Sequence, residues 1–497
     1  MKLTIVGLGP GELDDLSRKA WRVLKQARVV YLRTTHHQCV PCLPQNDAIT
    51  RDAITYHSFD SLYEAHDRFE DVYSAIVETL LAAAQTADVV YAVPGDPMVG
   101  ESTTQRLLKA APEAGIEVEI VNGISFIEPM LRLAGIDALD GLQIFDGLEI
   151  AAMHHPPINP DMPALVGQVY SRHVASNVKL TLMNQYPDDF RVKLIHGAGT
   201  DHVIVEDLPL YEIDRSAQIQ HMTSLYVPAL GDMASFERFQ EIIAHLRAPE
   251  GCPWDQKQTH DSLRKYLLEE TYEVLEAIDA GDARALAEEL GDLLLQIVLH
   301  TQIAIDDGEF NMVDVLRHIN HKMIRRHPHV WSTVTVEGAD EVVTNWEAIK
   351  QQEKAAKGIA AADFSSVLDG IPKGLPALMQ ADKYQAKAAR VGFDWDDIAP
   401  VRAKIDEEIA EVEALLGDAS ANAHELHKEM GDLLFSVVNW ARWLKIEPET
   451  ALREANARFY RRFTFVEQAA AKSGKLMEEH TLAELDVFWA QAKAQGL

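Results

Sequence analysis

Two periodicities divide the chain. Up to about residue 225, short runs of β-branched and other apolar residues alternate with segments whose apolar positions recur every three to four residues. That is the rhythm of strands joined by amphipathic helices. Residues 3–8, 29–32, 89–93, 118–121, 178–183 and 202–206 read as strands, and 16–26, 72–83 and 102–111 as helices. The pattern predicts an α/β domain, and two short strands per helix from about residue 140 predict a second lobe with more antiparallel character. Near Val227-Pro228-Ala229-Leu230-Gly231 the pattern changes. From Phe236 onward apolar residues recur at three and four, strand-like runs almost vanish, and the rest reads as helices broken by short loops.

The helical half repeats itself at a spacing of roughly 140 residues. Glu269-Glu270-Thr271-Tyr272-Glu273 is followed by Glu289-Leu290-Gly291-Asp292, and Glu407-Glu408-Ile409-Ala410-Glu411 by Glu429-Met430-Gly431-Asp432. Residues three apart share a helix face, so a short turn between two such helices brings four acids together in each copy. Clustered carboxylates repel and raise one another's pKa unless a hard cation such as Mg²⁺ sits among them. Leu293, Leu294, Ile297 and Val298 follow one Gly-Asp, and Leu433, Leu434, Val437 and Val438 the other. They predict that both ExxD helices are strongly buried. A linker containing residues 355–362, then Pro372 and Pro376, separates the copies.

Together with Gly251-Cys252-Pro253-Trp254-Asp255, Arg325-Arg326-His327-Pro328-His329-Val330 and Val391-Gly392-Phe393-Asp394-Trp395, these motifs resemble the two-copy MazG nucleoside triphosphate pyrophosphohydrolases over residues 236–497. The resemblance implies a duplicated all-α bundle, with copies at 236–360 and 366–497, that dimerises through its helices. It also implies Mg²⁺-dependent hydrolysis of nucleoside triphosphates to monophosphate and pyrophosphate. In the second copy Glu408, Glu411, Glu429 and Asp432 would hold the metal, with one glutamate orienting or deprotonating the attacking water. Glu270, Glu273, Glu289 and Asp292 form a second metal site in the first copy, which the resemblance makes the weaker or structural one. Arg458 and Arg462, and Trp489 and Lys493, match the family's phosphate- and base-contacting residues. One departure is Glu425, where family members often have a Lys; Lys428 lies nearby on another face.

In the first 225 or so residues, Gly7-Leu8-Gly9-Pro10-Gly11, Pro94-Gly95-Asp96-Pro97 and Asn122-Gly123-Ile124-Ser125-Phe126 each follow a strand. Loops at strand carboxyl ends form the crevice where α/β proteins bind ligands. In this order they resemble the tetrapyrrole (corrin/porphyrin) methylases, two-lobed α/β domains that bind S-adenosylmethionine, and predict a domain over 1–228. Leu8 with Pro10, Asp96 with Val99, Ser125 with Phe126, and Met183 take the places of the cofactor contacts. The whole chain then resembles a YabN-type fusion of methylase and MazG domains, with a methyl acceptor the sequence does not mark.

The net charge of −31 disfavours nucleic-acid polymers as partners. Three cysteines make no disulfide framework, and no run of eighteen apolar residues or leader-like start is present, which predicts a cytoplasmic protein that binds no membrane. His36, His37, Cys39 and Cys42 are spaced too tightly for a usual structural zinc site. Two other readings stand beside the hydrolase: a methyltransferase with the helical half as a dimerisation platform, and a non-catalytic sensor of nucleotide or S-adenosylmethionine. The intact quartets weigh against the sensor.

Overall fold

The computed structural model describes residues 1–46, 52–66, 68–231, 233–356, 366–418 and 422–497. Two compact units are formed, Met1–His321 and Lys322–Leu497. The first begins with a wholly parallel sheet ordered β3-β2-β4-β1-β5, made of β1 (Lys2–Gly7), β2 (Val29–Leu32), β3 (Thr55–Ser58), β4 (Val89–Val93) and β5 (Glu117–Val121). Helices cover both faces of β1 and β4, which explains why these strands are almost continuously apolar rather than alternating. Leu3, Ile5 and Tyr91 pack with Ile76, Leu80 and Leu107 on one face, while Val6, Val30 and Ala92 pack with Ala20 and Leu24 on the other.

The carboxyl ends of β1, β4 and β5 meet closely. Gly9 and Gly95 exchange backbone hydrogen bonds of 3.2 and 2.7 Å. A Cβ on Gly7 would meet the Gly95 carbonyl oxygen at 2.6 Å, and one on Gly123 would come closer still, so this approach admits only glycine.

The second sheet has the order β6-β7-β10-β8-β9, from β6 (Gln143–Asp146), β7 (Ala164–Gly167), β8 (Arg191–His196), β9 (Ile204–Pro209) and β10 (Thr223–Val227). Only β6 and β7 run parallel, so the expected antiparallel character is present. One predicted strand is wrong: residues 178–182 belong to the helix Arg172–Leu182. Ser171 caps that helix by accepting from the Val174 N–H, and Val174, Ala175, Val178 and Leu182 form its buried face. The helical period wins over the β-branched appearance of the segment.

After β10 no strand occurs among the described residues. The junction is pinned by Asp161, which accepts from the N–H groups of Ala234 (2.8 Å) and Ser235 (3.0 Å) and from the Ser235 hydroxyl (2.6 Å). Ser235 in turn caps the helix Phe236–Arg247. The helices His260–Ala280 and Ala283–Asp306 follow as a hairpin: Gly281, at φ +66°, ends the first, and the Asp282 side chain caps the second. Ile243, Leu263, Val298, Leu299, Ile303 and Met312 form their core. In the second unit Ala377–Ala389, Ile398–Leu415 and Ala423–Trp443 repeat this order, followed by Pro448–Lys472 and Leu482–Ala494. Of the expected linker, residues 357–362 lie outside the described residues, as does the boundary at 360. No described helix is long and apolar enough to cross a membrane.

The ExxD helices are less buried than their composition predicts. Val298 and Val438 are buried, but Leu294, Ile297, Leu434 (53% exposed) and Val437 face outward. The apolar residues form two stripes, and among the described residues only one is covered.

In the second copy the loop before Ile398–Leu415 is held by Asp394. Its carboxylate accepts from Arg442 Nη2 at 2.7 and 2.8 Å and from Trp443 Nε1 at 3.1 Å. Burial alone would raise its pKa, but these hydrogen bonds outweigh it and hold the carboxyl below its usual value. A lowered folded pKa contributes stability that is present above the unfolded pKa and lost as pH falls through the folded one. Asp394→Asn is therefore expected to destabilise the second unit by about 1–3 kcal/mol at pH 7. The deficit should shrink as pH falls below about 4, as read by urea denaturation across pH.

Candidate functional site

The helix Ile398–Leu415 carries Glu408 and Glu411 on one face, and Ala423–Trp443 carries Glu429 and Asp432. Ligand atoms of Glu408, Glu429 and Asp432 all lie within 4.8 Å of one another. Glu411 joins them through a hydrogen bond with Glu429. Loss of hydration, then that bond and the charges of Glu411, Asp432 and Glu408, raise the Glu429 pKa. Glu408 is buried; its Oε1 lies 2.8 Å from Lys404 Nζ, while Oε2 has no partner. A buried carboxylate oxygen without a donor, facing two further acids, is an acceptor set that fits a hard divalent cation.

The first copy repeats this geometry. Glu270, Glu273 and Glu289 offer ligand atoms within 4.8 Å of one another. Burial and the charge of Asp292 raise Glu270, and lost hydration with the charges of Glu273 and Asp292 raises Glu289. In each copy three acids therefore converge, and the fourth, Asp292 or Glu411, acts on them electrostatically.

Lys404 was not anticipated. It stands one turn before Glu408 and also pairs with Glu407 at 2.9 Å, and these hydrogen bonds raise its pKa. The i,i+4 Lys–Glu spacing was the signal in the sequence. Lys428, in contrast, bonds both oxygens of Glu425, at 2.8 and 3.0 Å.

The remaining nucleotide candidates gather on Pro448–Lys472 and Leu482–Ala494. The Arg462 guanidinium lies 5.8 Å from the Trp489 ring centre and donates to the Leu497 carbonyl oxygen, while Phe459 packs against Trp489. Arg458 is 3.7 Å from Glu454, and Lys493 is exposed in the last helical turn. None of the four lines the cavity of about 410 Å³ whose wall includes Glu408, Asp432 and Lys404.

In the amino-terminal region Pro10, Asp96, Val99 and Phe126 line one cavity of about 500 Å³, with Gln168 and Thr223 from the second-sheet region in the same wall. Asp96 ties the loops together: Oδ1 accepts from Met98 N–H at 2.8 Å, and Oδ2 from Asn122 Nδ2 at 3.1 Å and Gly123 N–H at 3.0 Å. Leu8, Ser125 and Met183 do not line it. Leu8 is core, Ser125 donates to Glu128 through its N–H and hydroxyl, and Met183 ends the helix Arg172–Leu182. Gln168 was missed; a non-glycine residue at φ +60° carries no sequence mark, and its amide donates to Asp146 at 2.8 Å beside the cavity. His37 is occupied structurally, its Nε2 donating to the Gly9 carbonyl oxygen at 2.9 Å, and Cys42 is exposed. Among the described residues, the groups of three or more ligating side chains are the two carboxylate clusters.

Comparison with known proteins agrees with this division. The model of the tetrapyrrole (corrin/porphyrin) methylases matches residues 2–214, and that of the MazG nucleotide pyrophosphohydrolase domain matches residues 258–331. YabN of Bacillus subtilis (strain 168), described as an uncharacterized protein, is 41% identical over 99% of this chain and 98% of its own length. The nucleoside triphosphate pyrophosphohydrolase/pyrophosphatase MazG of Thermotoga maritima is 45% identical over 52% of this chain and 95% of its own. The nucleoside triphosphate pyrophosphohydrolase of Escherichia coli (strain K12) is 45% identical over 53% and 99%. Matched almost end to end, this chain belongs to the YabN family, in which a tetrapyrrole methylase domain precedes a MazG domain.

Proposed function

We propose that the chain is a Mg²⁺-dependent nucleoside triphosphate pyrophosphohydrolase fused to an S-adenosylmethionine-binding, methyltransferase-like domain of unassigned acceptor. The observation that supports the hydrolase most is the convergence of Glu408, Glu411, Glu429 and Asp432 at the end of one helical hairpin. The named activity of the MazG relatives, 45% identical over nearly their full length, supports it independently. The proposed modules are 1–228, 236–360 and 366–497.

Glu408, Glu411, Glu429 and Asp432 would hold Mg²⁺ in the second copy, and Glu270, Glu273, Glu289 and Asp292 in the first. Bound there, the ion would neutralise charge building on the phosphoryl oxygens and acidify a water. Lost hydration and the contact with Glu411 raise the Glu429 pKa, which makes it a stronger proton acceptor than an isolated carboxylate and suits the pair to take the proton of an attacking water. The water oxygen bonds to the α-phosphorus, the bond to the α,β-bridging oxygen breaks, and pyrophosphate leaves. Arg458, Arg462, Trp489 and Lys493 would contact the nucleotide from their own helix pair.

The exposed apolar stripes, Leu294 and Ile297 in the first unit and Leu434 and Val437 in the second, support a homodimer that buries them. The charge of −31 and the absence of a described membrane-crossing helix are consistent with a cytoplasmic enzyme acting on small nucleotides. In the amino-terminal domain Pro10, Asp96, Val99 and Phe126 would surround the S-adenosylmethionine, with Leu8 and Ser125 supporting the loops. Met183 ends the helix Arg172–Leu182 and does not line that cavity.

Glu411→Gln is expected to lower pyrophosphate release by at least about 100-fold with unchanged helical circular dichroism. Unchanged release, or orthophosphate with diphosphate as products, would contradict the reading. In the same protein Mg²⁺ should raise the melting temperature of the wild type more than that of Glu408→Gln. For the first domain, calorimetry with S-adenosylhomocysteine should show saturable binding that Phe126→Ala weakens; no heat from the wild type would count against a working cofactor site.

A further inference from the structure

We propose that Cys39, Cys42 and His37 form a thiol oxidation site, at which a hydroperoxide closes a disulfide between the two cysteines. The three residues belong to neither carboxylate cluster and do not line the cavity of about 500 Å³, so the proposal stands independently of the hydrolase and methylase readings.

The local backbone brings the sulfurs together. Cys39 has helical angles, φ −76° and ψ −14°, and leads into the 3₁₀ turn Val40–Cys42, where the Cys42 N–H donates to the Cys39 carbonyl oxygen at 3.0 Å. Residues three apart on such a turn eclipse one another with their Cα atoms about 6 Å apart, inside the range that a disulfide spans. Pro41, between them, fixes one angle of the turn. The charge of Cys42 is felt at the Cys39 thiol, as adjacent sulfurs require.

Their surroundings give the two sulfurs different parts. Cys42 is exposed, so a peroxide reaches it, whereas Cys39 is 1% exposed and packs with Val6, Leu8 and Leu43. Burial, with the charge of Cys42, pushes the Cys39 thiol up to about 11, so it keeps its proton at neutral pH and needs a base to react.

His37 supplies that base. Its Nε2 lies 2.9 Å from the Gly9 carbonyl oxygen, which only accepts, so Nε2 carries the ring proton. Nδ1, 3.1 Å from Cys39 Sγ, therefore presents its lone pair to the thiol. Burial lowers the His37 pKa against the opposing Gly9 hydrogen bond, which keeps the ring neutral and able to accept. A thiol, a base and a backbone group that orients the base make up an activated nucleophile.

The Cys42 thiolate attacks hydrogen peroxide: an S–O bond forms, the O–O bond breaks, and the departing hydroxide takes up the proton the thiol had released, leaving a sulfenic acid. Cys39 Sγ then attacks the Cys42 sulfur while His37 Nδ1 takes its proton. The S–S bond forms, the S–O bond breaks, and the leaving hydroxide collects that proton as water. Two thiols and one peroxide become a disulfide and two waters. Such a bond is transient chemistry rather than scaffold, in keeping with a chain of three cysteines.

The test treats the full-length protein with hydrogen peroxide, then alkylates and digests it. The tryptic peptide carrying Cys39 and Cys42 should lose two hydrogens, resist alkylation and regain both thiols with dithiothreitol, while Cys252 stays open to alkylation. Cys39→Ser should stop the reaction at Cys42, where dimedone captures the sulfenic acid, and Cys42→Ser should leave Cys39 reduced. His37→Gln, whose amide keeps a donor for Gly9 but offers no base, should slow closure at least about 10-fold and let dimedone trap Cys42 with both cysteines present. A pair that stays reduced in the folded protein and closes only in urea, a bridge between two chains instead of within one, or unchanged closure in His37→Gln would each overturn the proposal.

Discussion

Like charges forced together at the end of a helical hairpin are the constraint around which the carboxyl half is organised. In each copy, acids on one helix face acids on the next, and ligand atoms of three of them lie within 4.8 Å of one another. The raised Glu270, Glu289 and Glu429 record the electrostatic cost. Apolar packing on the other side of the hairpins, through residues such as Val298, Leu299 and Val438, opposes that repulsion. Lys404 offsets part of it by pairing with Glu408, but Glu408 Oε2 still has no partner. A fold that stabilises such a cluster without a cation would gain from replacing the acids, so the arrangement is best explained by what it binds.

The amino-terminal domain positions its loops by a different device. There, close backbone approach at Gly7, Gly95 and Gly123, together with the Asp96 carboxylate bridging two loops, gathers the strand ends beside one cavity. Rigid backbone does for this crevice what helix hairpins do for the carboxylate clusters. In both cases the residues facing the cavity are few, and those behind them set the geometry.

Much of this was legible in the chain, for identifiable reasons. β2 and β4 stand where the apolar runs place them because buried parallel strands leave an uninterrupted signal. β3 and β6, Thr-Tyr-His-Ser and Gln-Ile-Phe-Asp, carry too few apolar residues for such a run to emerge. Residues 178–182 misled because Val-Lys-Leu-Thr-Leu alternates like a strand, whereas Ser171 and the face from Val174 to Leu182 set a helix. The carboxylate quartets were readable because i,i+3 spacing on a helix translates directly into proximity. What could not be read were partners set by tertiary packing: the Gln385–Phe435 hydrogen bond spans fifty residues of sequence, Gln168 adopts a left-handed backbone without glycine, and Met183 lies off the cavity because its segment is helical. The two-stripe character of the ExxD helices was likewise hidden, since composition reports how apolar a helix is but not how many faces its own chain covers.

The central claim is that each quartet holds a divalent cation. Titration of the full-length protein with Mn²⁺, followed by electron paramagnetic resonance of the free ion, tests it directly. Saturable binding that is reduced by Asp432→Asn and reduced further when Asp292→Asn is added is the predicted result; binding that neither substitution alters would contradict the claim.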